Sequence, residues 1–240
     1  MEKFSEKVSF IWSMADCLRG DFKTHEYSTI ILPFTILRRL DQVLASSRER
    51  VWFAVDKYKE QSKQVQNERF LQVSEANFYN TSPFDFAKLL EDPEKILHNI
   101  HVYVAGLSEN ARSIMSYFEL DDTISKLHKT DLLYTIVQKF NEIDLDPYKR
   151  NPDGSIQYLH GQKVDNVTNM EMGYIYEELI RKFAEQSNET TGEHFTPREV
   201  IRLMVNVLFA EDEDFLTKEG ETRSIFDPCC GTGGMLTIGK

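Results

Sequence analysis

Asp227-Pro228-Cys229-Cys230-Gly231-Thr232-Gly233-Gly234 follows a short apolar pair, Ile225-Phe226. The pair reads as a buried strand, and Pro228, which cannot donate to a sheet ladder, marks its end. The glycines let the backbone take positive φ and come close to a ligand. Strand, acidic residue and glycine turn is the order found in a nucleotide-type pocket at the carboxyl end of a sheet strand. The loop is not a P-loop, because no Gly-Lys-Ser/Thr follows at the required spacing. A dinucleotide pattern counted from Gly231 would need its third glycine where Leu236 stands. Taken alone, the segment is equally a glycine turn without a ligand.

A second segment lies upstream, Thr191-Gly192-Glu193-His194-Phe195-Thr196-Pro197-Arg198-Glu199. Thr196 fits an N-cap, Pro197 the first helical position and Glu199 the third position of a capping box. Val200, Leu203, Met204, Val207 and Leu208 then repeat at helical spacing and predict an apolar face. The plain reading is a well-capped helix. A helix start also presents backbone N–H groups with partial positive charge, which suit a small-molecule carboxylate.

Gly192-Glu193-His194-Phe195-Thr196-Pro197 followed by Asp227-Pro228-Cys229-Cys230-Gly231-Thr232-Gly233-Gly234 resembles the modification subunit of type I restriction–modification systems. Met172-Gly173-Tyr174-Ile175-Tyr176-Glu177-Glu178-Leu179-Ile180 and the N-terminal run from Ile31 to Asp41 are similar to that family as well. The resemblance implies an S-adenosyl-L-methionine-dependent DNA adenine-N6 methyltransferase. Its Phe-Thr-Pro cofactor motif maps to Glu193, His194, Phe195, Thr196, Pro197 and Arg198. Its glycine-loop motif maps to Asp227, Thr232, Gly233 and Gly234. Asp227 would suit the cofactor's ammonium group, and the backbone donors near Thr196 its carboxylate. The implied partners are DNA, a specificity subunit, a second methyltransferase subunit and a restriction subunit.

The family's catalytic Asn/Asp-Pro-Pro-aromatic motif follows its cofactor motifs, and no such motif occurs in these 240 residues. Asn151-Pro152-Asp153-Gly154 copies only its first half and reads as a β-turn. The expected fold is therefore mainly α. A helical N-terminal domain over residues 1–165 precedes the entry helices and first strand of a truncated α/β methyltransferase domain over 166–240. No catalytic residue is assigned, and the chain by itself is expected to be inactive. A rival reading is a helical module that assembles subunits and whose glycine turn binds nothing.

Composition supports a folded, non-membrane chain. Hydrophobic residues make up 41% of it, enough for a core. No apolar run approaches the ~18 residues of a membrane span. The N-terminus lacks an apolar signal core, so a cytoplasmic protein is expected. The net charge of −11 argues against holding DNA through phosphate neutralisation by this chain alone. Cys17, Cys229 and Cys230 lack the spacing of a zinc site, and the last two read as small buried fillers.

Local signals punctuate the rest. Val8, Ile11, Trp12, Ala15 and Leu18 share a stripe on a helix over 2–19 that Gly20 ends. A second helix is expected over 25–47, kinked or restarted at Pro33. Arg38, Arg39, Arg48 and Arg50 read as a solvated basic face rather than a nucleic-acid contact. The polar stretch 61–80 reads as a long loop. Helices are expected over 83–90, 93–105, 109–118 and 131–141, and another that Asn169 caps. His98 and His101 have a spacing open to a metal, but lack a third ligand.

Overall fold

Helix α1 (Glu2–Leu18) and helix α2 (Tyr27–Val43) supply much of the core of the first unit. The structure, a computed structural model, describes residues 2–186, 196–211, 224–230 and 233–239. The chain divides into two compact units, Met1–Glu189 and Thr190–Lys240.

The first unit continues through α3 (Arg48–Tyr58), α4 (Lys63–Ser74), the short α5 (Phe86–Leu89), α6 (Ile96–Ala105), α7 (Glu109–Tyr117), α8 (Leu120–Lys129), α9 (Leu133–Glu142) and α10 (Asn169–Gln186). Ile11, Ile31, Phe34, Leu37, Ile100, Ile136, Phe140 and Leu179 are fully buried in one continuous core. Phe34 stacks on Phe140 at 5.6 Å between ring centroids. Helix α10 packs against α1 through Trp12 and Phe183, 5.1 Å apart.

Helix α2 does not restart at Pro33 but runs unbroken past it. Pro33 has no N–H, so the Thr29 carbonyl one turn earlier loses its helical partner. The Thr123 hydroxyl, from α8, donates to that carbonyl at 3.5 Å. The neighbouring helix thus accommodates the proline.

Of the four arginines read as a solvated face, only Arg50 is exposed, pairing with Glu75 at 2.6 Å; the other three turn inward. Arg38 and Arg39 are 9% and 7% exposed. Arg38 donates to the carbonyls of Asn141 at 2.9 Å and Ile143 at 3.2 Å, where α9 ends. Arg39 donates to the carbonyls of Leu145 and Val167 and to Asn169 Oδ1. These are orphan carbonyls that water would otherwise have to satisfy. Asp41 lies between Arg38 at 2.9 Å and Arg48 at 2.6 Å, and Arg48 reaches on to Asp85. Burial raises the Asp41 pKa, and Arg48 and Arg38 oppose the rise. The Tyr103 hydroxyl, fully buried and pushed well above its ordinary range by that burial, donates to Asp41 at 3.3 Å.

Two further expectations change. The stretch 61–80 contains helix α4, which has no apolar stripe because only Phe70 and Ser74 are buried. Its Gln, Lys, Glu and Arg residues are good helix formers without that stripe. Ser62 caps the start by accepting from the Val65 N–H, and left-handed Glu75 closes the end. Helix α8, which had no sequence assignment, buries Leu120, Ile124 and Leu127. The start of α10 is capped by Thr168 rather than Asn169. Thr168 Oγ1 accepts from the Glu171 N–H at 3.2 Å, and the Glu171 carboxylate accepts from the Thr168 N–H at 2.8 Å. That is a capping box, and it leaves Asn169 to receive Arg39.

Between α9 and α10 the chain makes a small hairpin, β1 (Tyr158–Leu159) antiparallel to β2 (Gln162–Lys163), with Tyr158 opposite Lys163. His160 and Gly161, both at positive φ, form its turn. Asn151 to Gly154 is a β-turn, closed by the Gly154 N–H donating to the Asn151 carbonyl at 2.9 Å. Gly106 is needed for a close approach: a Cβ there would lie 2.7 Å from the Ser82 backbone nitrogen.

Candidate functional site

The described part of the second unit is built on helix α11 (Arg198–Phe209) and a short helix α12 (Gly234–Ile238). Glu193, His194, Phe195 and Thr232 lie outside the described residues, so the structure bears on Thr196, Pro197, Arg198, Asp227, Gly233 and Gly234.

Helix α11 starts one residue later than expected. Pro197 is its N-cap, extended at ψ 141°, and no side chain caps it. The Pro197 carbonyl accepts from the N–H groups of Val200 at 3.0 Å and Ile201 at 3.1 Å. Thr196 is exposed and stands one position too early to cap. The expected capping box of Thr196 and Glu199 therefore does not form.

The face of α11 is also rotated from its expectation. Ile201 and Val205 are buried, whereas Val200, Leu203, Met204, Val207 and Leu208 are exposed, Leu203 at 64%. The strongest apolar repeat thus faces outward. Ile201 and Val205, one turn apart, define the packed face.

Ile201 packs against the end of the glycine loop. A Cβ on Gly234 would fall 2.4 Å from Ile201 Cδ1, so the start of α12 sits directly on the first turns of α11. At the other end, a Cβ on Gly239 would meet Ile225 Cδ1 at 2.7 Å and Phe209 Cε2 at 3.4 Å. The contact between Gly234 and Ile201 draws the helix begun by Thr196-Pro197-Arg198 and the loop ending at Gly233-Gly234 together. Sequence patterning passed over Ile201, which lies off the larger apolar stripe.

Gly233 has a different job from Gly234. It takes φ 77° and ψ 22°, a left-handed conformation, with nothing within 4 Å of where a Cβ would stand. Its N–H donates to the Cys230 carbonyl at 2.7 Å, and its carbonyl receives the Thr237 N–H at 2.9 Å and hydroxyl at 2.8 Å. Asp227 is half-buried, and its Oδ1 accepts from the Cys229 N–H at 3.0 Å. That bond turns the chain at the head of the loop.

Two readings of this region are corrected. Residues 224–227 form no strand, and Phe226 is 86% exposed. A strand needs a ladder partner, and none lies beside this segment among the described residues. Cys229 and Cys230 are exposed, not buried fillers, because they sit on the outside of the turn. No group of three potential metal-ligating side chains occurs among the described residues, and the His101 ring faces Asp121 at 3.5 Å.

Comparison with known proteins gives this geometry a setting. The family described as the HsdM N-terminal domain matches residues 7–140, and that described as N-6 DNA Methylase matches residues 168–240. The chain is 26% identical to the type I restriction enzyme MjaIX methylase subunit of Methanocaldococcus jannaschii, over 94% of this chain and 38% of that protein. It is 33% identical to the EcoEI methylase subunit of Escherichia coli, over 55% of this chain and 21% of that protein. In fold it is similar to a crystal structure of the type I restriction–modification methyltransferase subunit from Streptococcus thermophilus. That similarity has a TM-score of 0.59 at 17% identity, over 98% of this chain and 49% of that one. The chain thus spans less than half the length of each of these relatives.

Proposed function

Because the chain belongs to the HsdM N-terminal domain family, we propose that it is the N-terminal part of a DNA methyltransferase subunit of a type I restriction–modification system. The proposed reaction moves a methyl group from the sulfonium of S-adenosyl-L-methionine to the N6 amino group of adenine, with loss of one proton from that nitrogen. The adenine must leave the base stack to be reached. DNA, a specificity subunit, a second methyltransferase subunit and a restriction subunit are the proposed partners, in the cytoplasm.

The observation that carries this reading is the seating of the glycine loop on α11 through Gly234 and Ile201. The residues present fit the cofactor. The space where a Gly233 side chain would stand is open, so a ligand can approach the backbone there. Pro197, the N-cap of α11, makes no side-chain cap hydrogen bond, and this end of the helix dipole favours a carboxylate. Asp227 supplies the acidic partner for an ammonium group. Glu193, His194, Phe195, Pro197, Arg198 and Thr232 complete the proposed lining. When bound, the cofactor supplies an electrophilic methyl group; the residues of this chain bind and orient it. Presentation of the adenine amino group is proposed to belong to an Asn/Asp-Pro-Pro-aromatic motif, which these 240 residues do not contain.

Calorimetric titration of S-adenosyl-L-methionine into the whole subunit tests the site. Asp227→Ala should weaken binding by about 1.5–3 kcal/mol, the worth of a hydrogen bond to a charged group. Unchanged affinity would reduce the loop to a turn and remove the cofactor assignment.

A further inference from the structure

A pocket of about 460 Å³ opens in the first unit between α3 and the segment that leads into α5. Trp52, Phe53, Pro83 and Phe84 form its apolar walls. Trp52 and Phe53 lie on the surface, 51% and 68% exposed, with ring centroids 5.8 Å apart. The volume lies in the range that accepts a small ligand or an inserted side chain.

The charges around the pocket select its occupant. Both cations in the wall are engaged: Arg48 pairs with Asp41 and Asp85, and Lys88 Nζ donates to the Pro83 carbonyl at 3.3 Å. The carboxylates of Glu49 and Glu91 also line the pocket and carry no ion pair among the described residues. Aromatic faces and unpaired carboxylates together favour a cation with N–H donors. A nucleic-acid backbone would bring its phosphates against Glu49 and Glu91, on a chain of net charge −11.

We propose that this pocket receives an arginine side chain presented by a protein partner. A guanidinium is planar, stacks on aromatic rings and carries five donors, where an ammonium is compact and strongly hydrated. Arginine is also among the residues enriched at the energetic centres of protein interfaces. The proposal rests on the pocket alone and is independent of the methyltransferase reading.

The test uses the intact chain and N-acetylarginine amide as the probe. The chain has two tryptophans, Trp12 and Trp52, so two indole N–H resonances report. The arginine probe should shift the Trp52 indole saturably at millimolar concentration and leave Trp12, packed on Phe183, unmoved. The doubly substituted Glu49→Gln, Glu91→Gln chain should bind about fivefold more weakly, the weight of two exposed charge pairs. Both residues are exposed, and an unchanged Trp12 resonance verifies that the variant folds. A flat Trp52 titration overturns the proposal, as does an equal response to N-acetyllysine amide, an equal response to a single-stranded oligonucleotide, or full binding by the double variant.

Discussion

Helices α2 and α11 carry similar apolar repeats, and the two are covered to very different degrees. On α2, Ile30, Ile31, Phe34 and Leu37 are sealed by α1, α8, α9 and α10, and even its arginines are drawn inward to satisfy carbonyls. On α11, Ile201 and Val205 are buried, Ile201 against a five-residue helix, and five other apolar residues face outward. An amphipathic stripe records a demand for a covering surface, and it does not supply one. The first unit meets that demand with four neighbouring α-helices, and the described part of the second meets only part of it.

Truncation of matched side chains puts the comparison to its severest test. Phe34→Ala should destabilise the first unit by about 3–5 kcal/mol, through lost burial and the cavity left against Phe140. Leu203→Ala, on the open face of α11, should change stability by about 0.5 kcal/mol or less. Urea unfolding followed by circular dichroism measures both. A large loss from Leu203→Ala would mean that this face is covered in solution, and the contrast between the helices would collapse.

The glycine loop sharpens the comparison at a smaller scale. Gly233→Ala forces a side chain into left-handed geometry and should cost about 1–2 kcal/mol. Amides of α12 and of the adjoining face of α11 should then exchange about tenfold faster, with no change in α2. Equal protection in the variant would show that the turn does not hold α12 against Ile201.

The smallest expected effect is a pH dependence at the head of α10. The Thr168 N–H, through its hydrogen bond, lowers the Glu171 pKa from the ordinary 4.5. A lowered carboxyl pKa contributes stability that is present above the ordinary value and is lost as pH falls through the folded value. Glu171→Gln should therefore cost about 0.3–1 kcal/mol near neutral pH, the worth of an exposed carboxylate in the first turn of a helix. The difference should shrink once pH falls below 4.5. Thermal unfolding of both proteins across that range provides the measurement, and a difference that persists in acid would assign the cost to something other than the carboxylate.

Much of the helical architecture was legible in the sequence, because its signals are local. The stripe from Val8 to Leu18, the stop at Gly20 and the turn at Asn151-Pro152-Asp153-Gly154 all depend on residues within a few positions of one another. The order of the two cofactor-type motifs was equally a property of the chain.

Tertiary structure decided the rest, because the deciding partners are remote in sequence. Arg39 could be read as a buried carbonyl donor only once Leu145 and Val167 were beside it, 106 and 128 residues away. Pro33 could stay within a helix because Thr123 reaches Thr29. Which face of α11 packs was set by Gly234, whose missing Cβ admits Ile201 and leaves the stronger stripe outside. Periodicity along a helix states which residues can share a face, and only a neighbouring surface settles which face is buried.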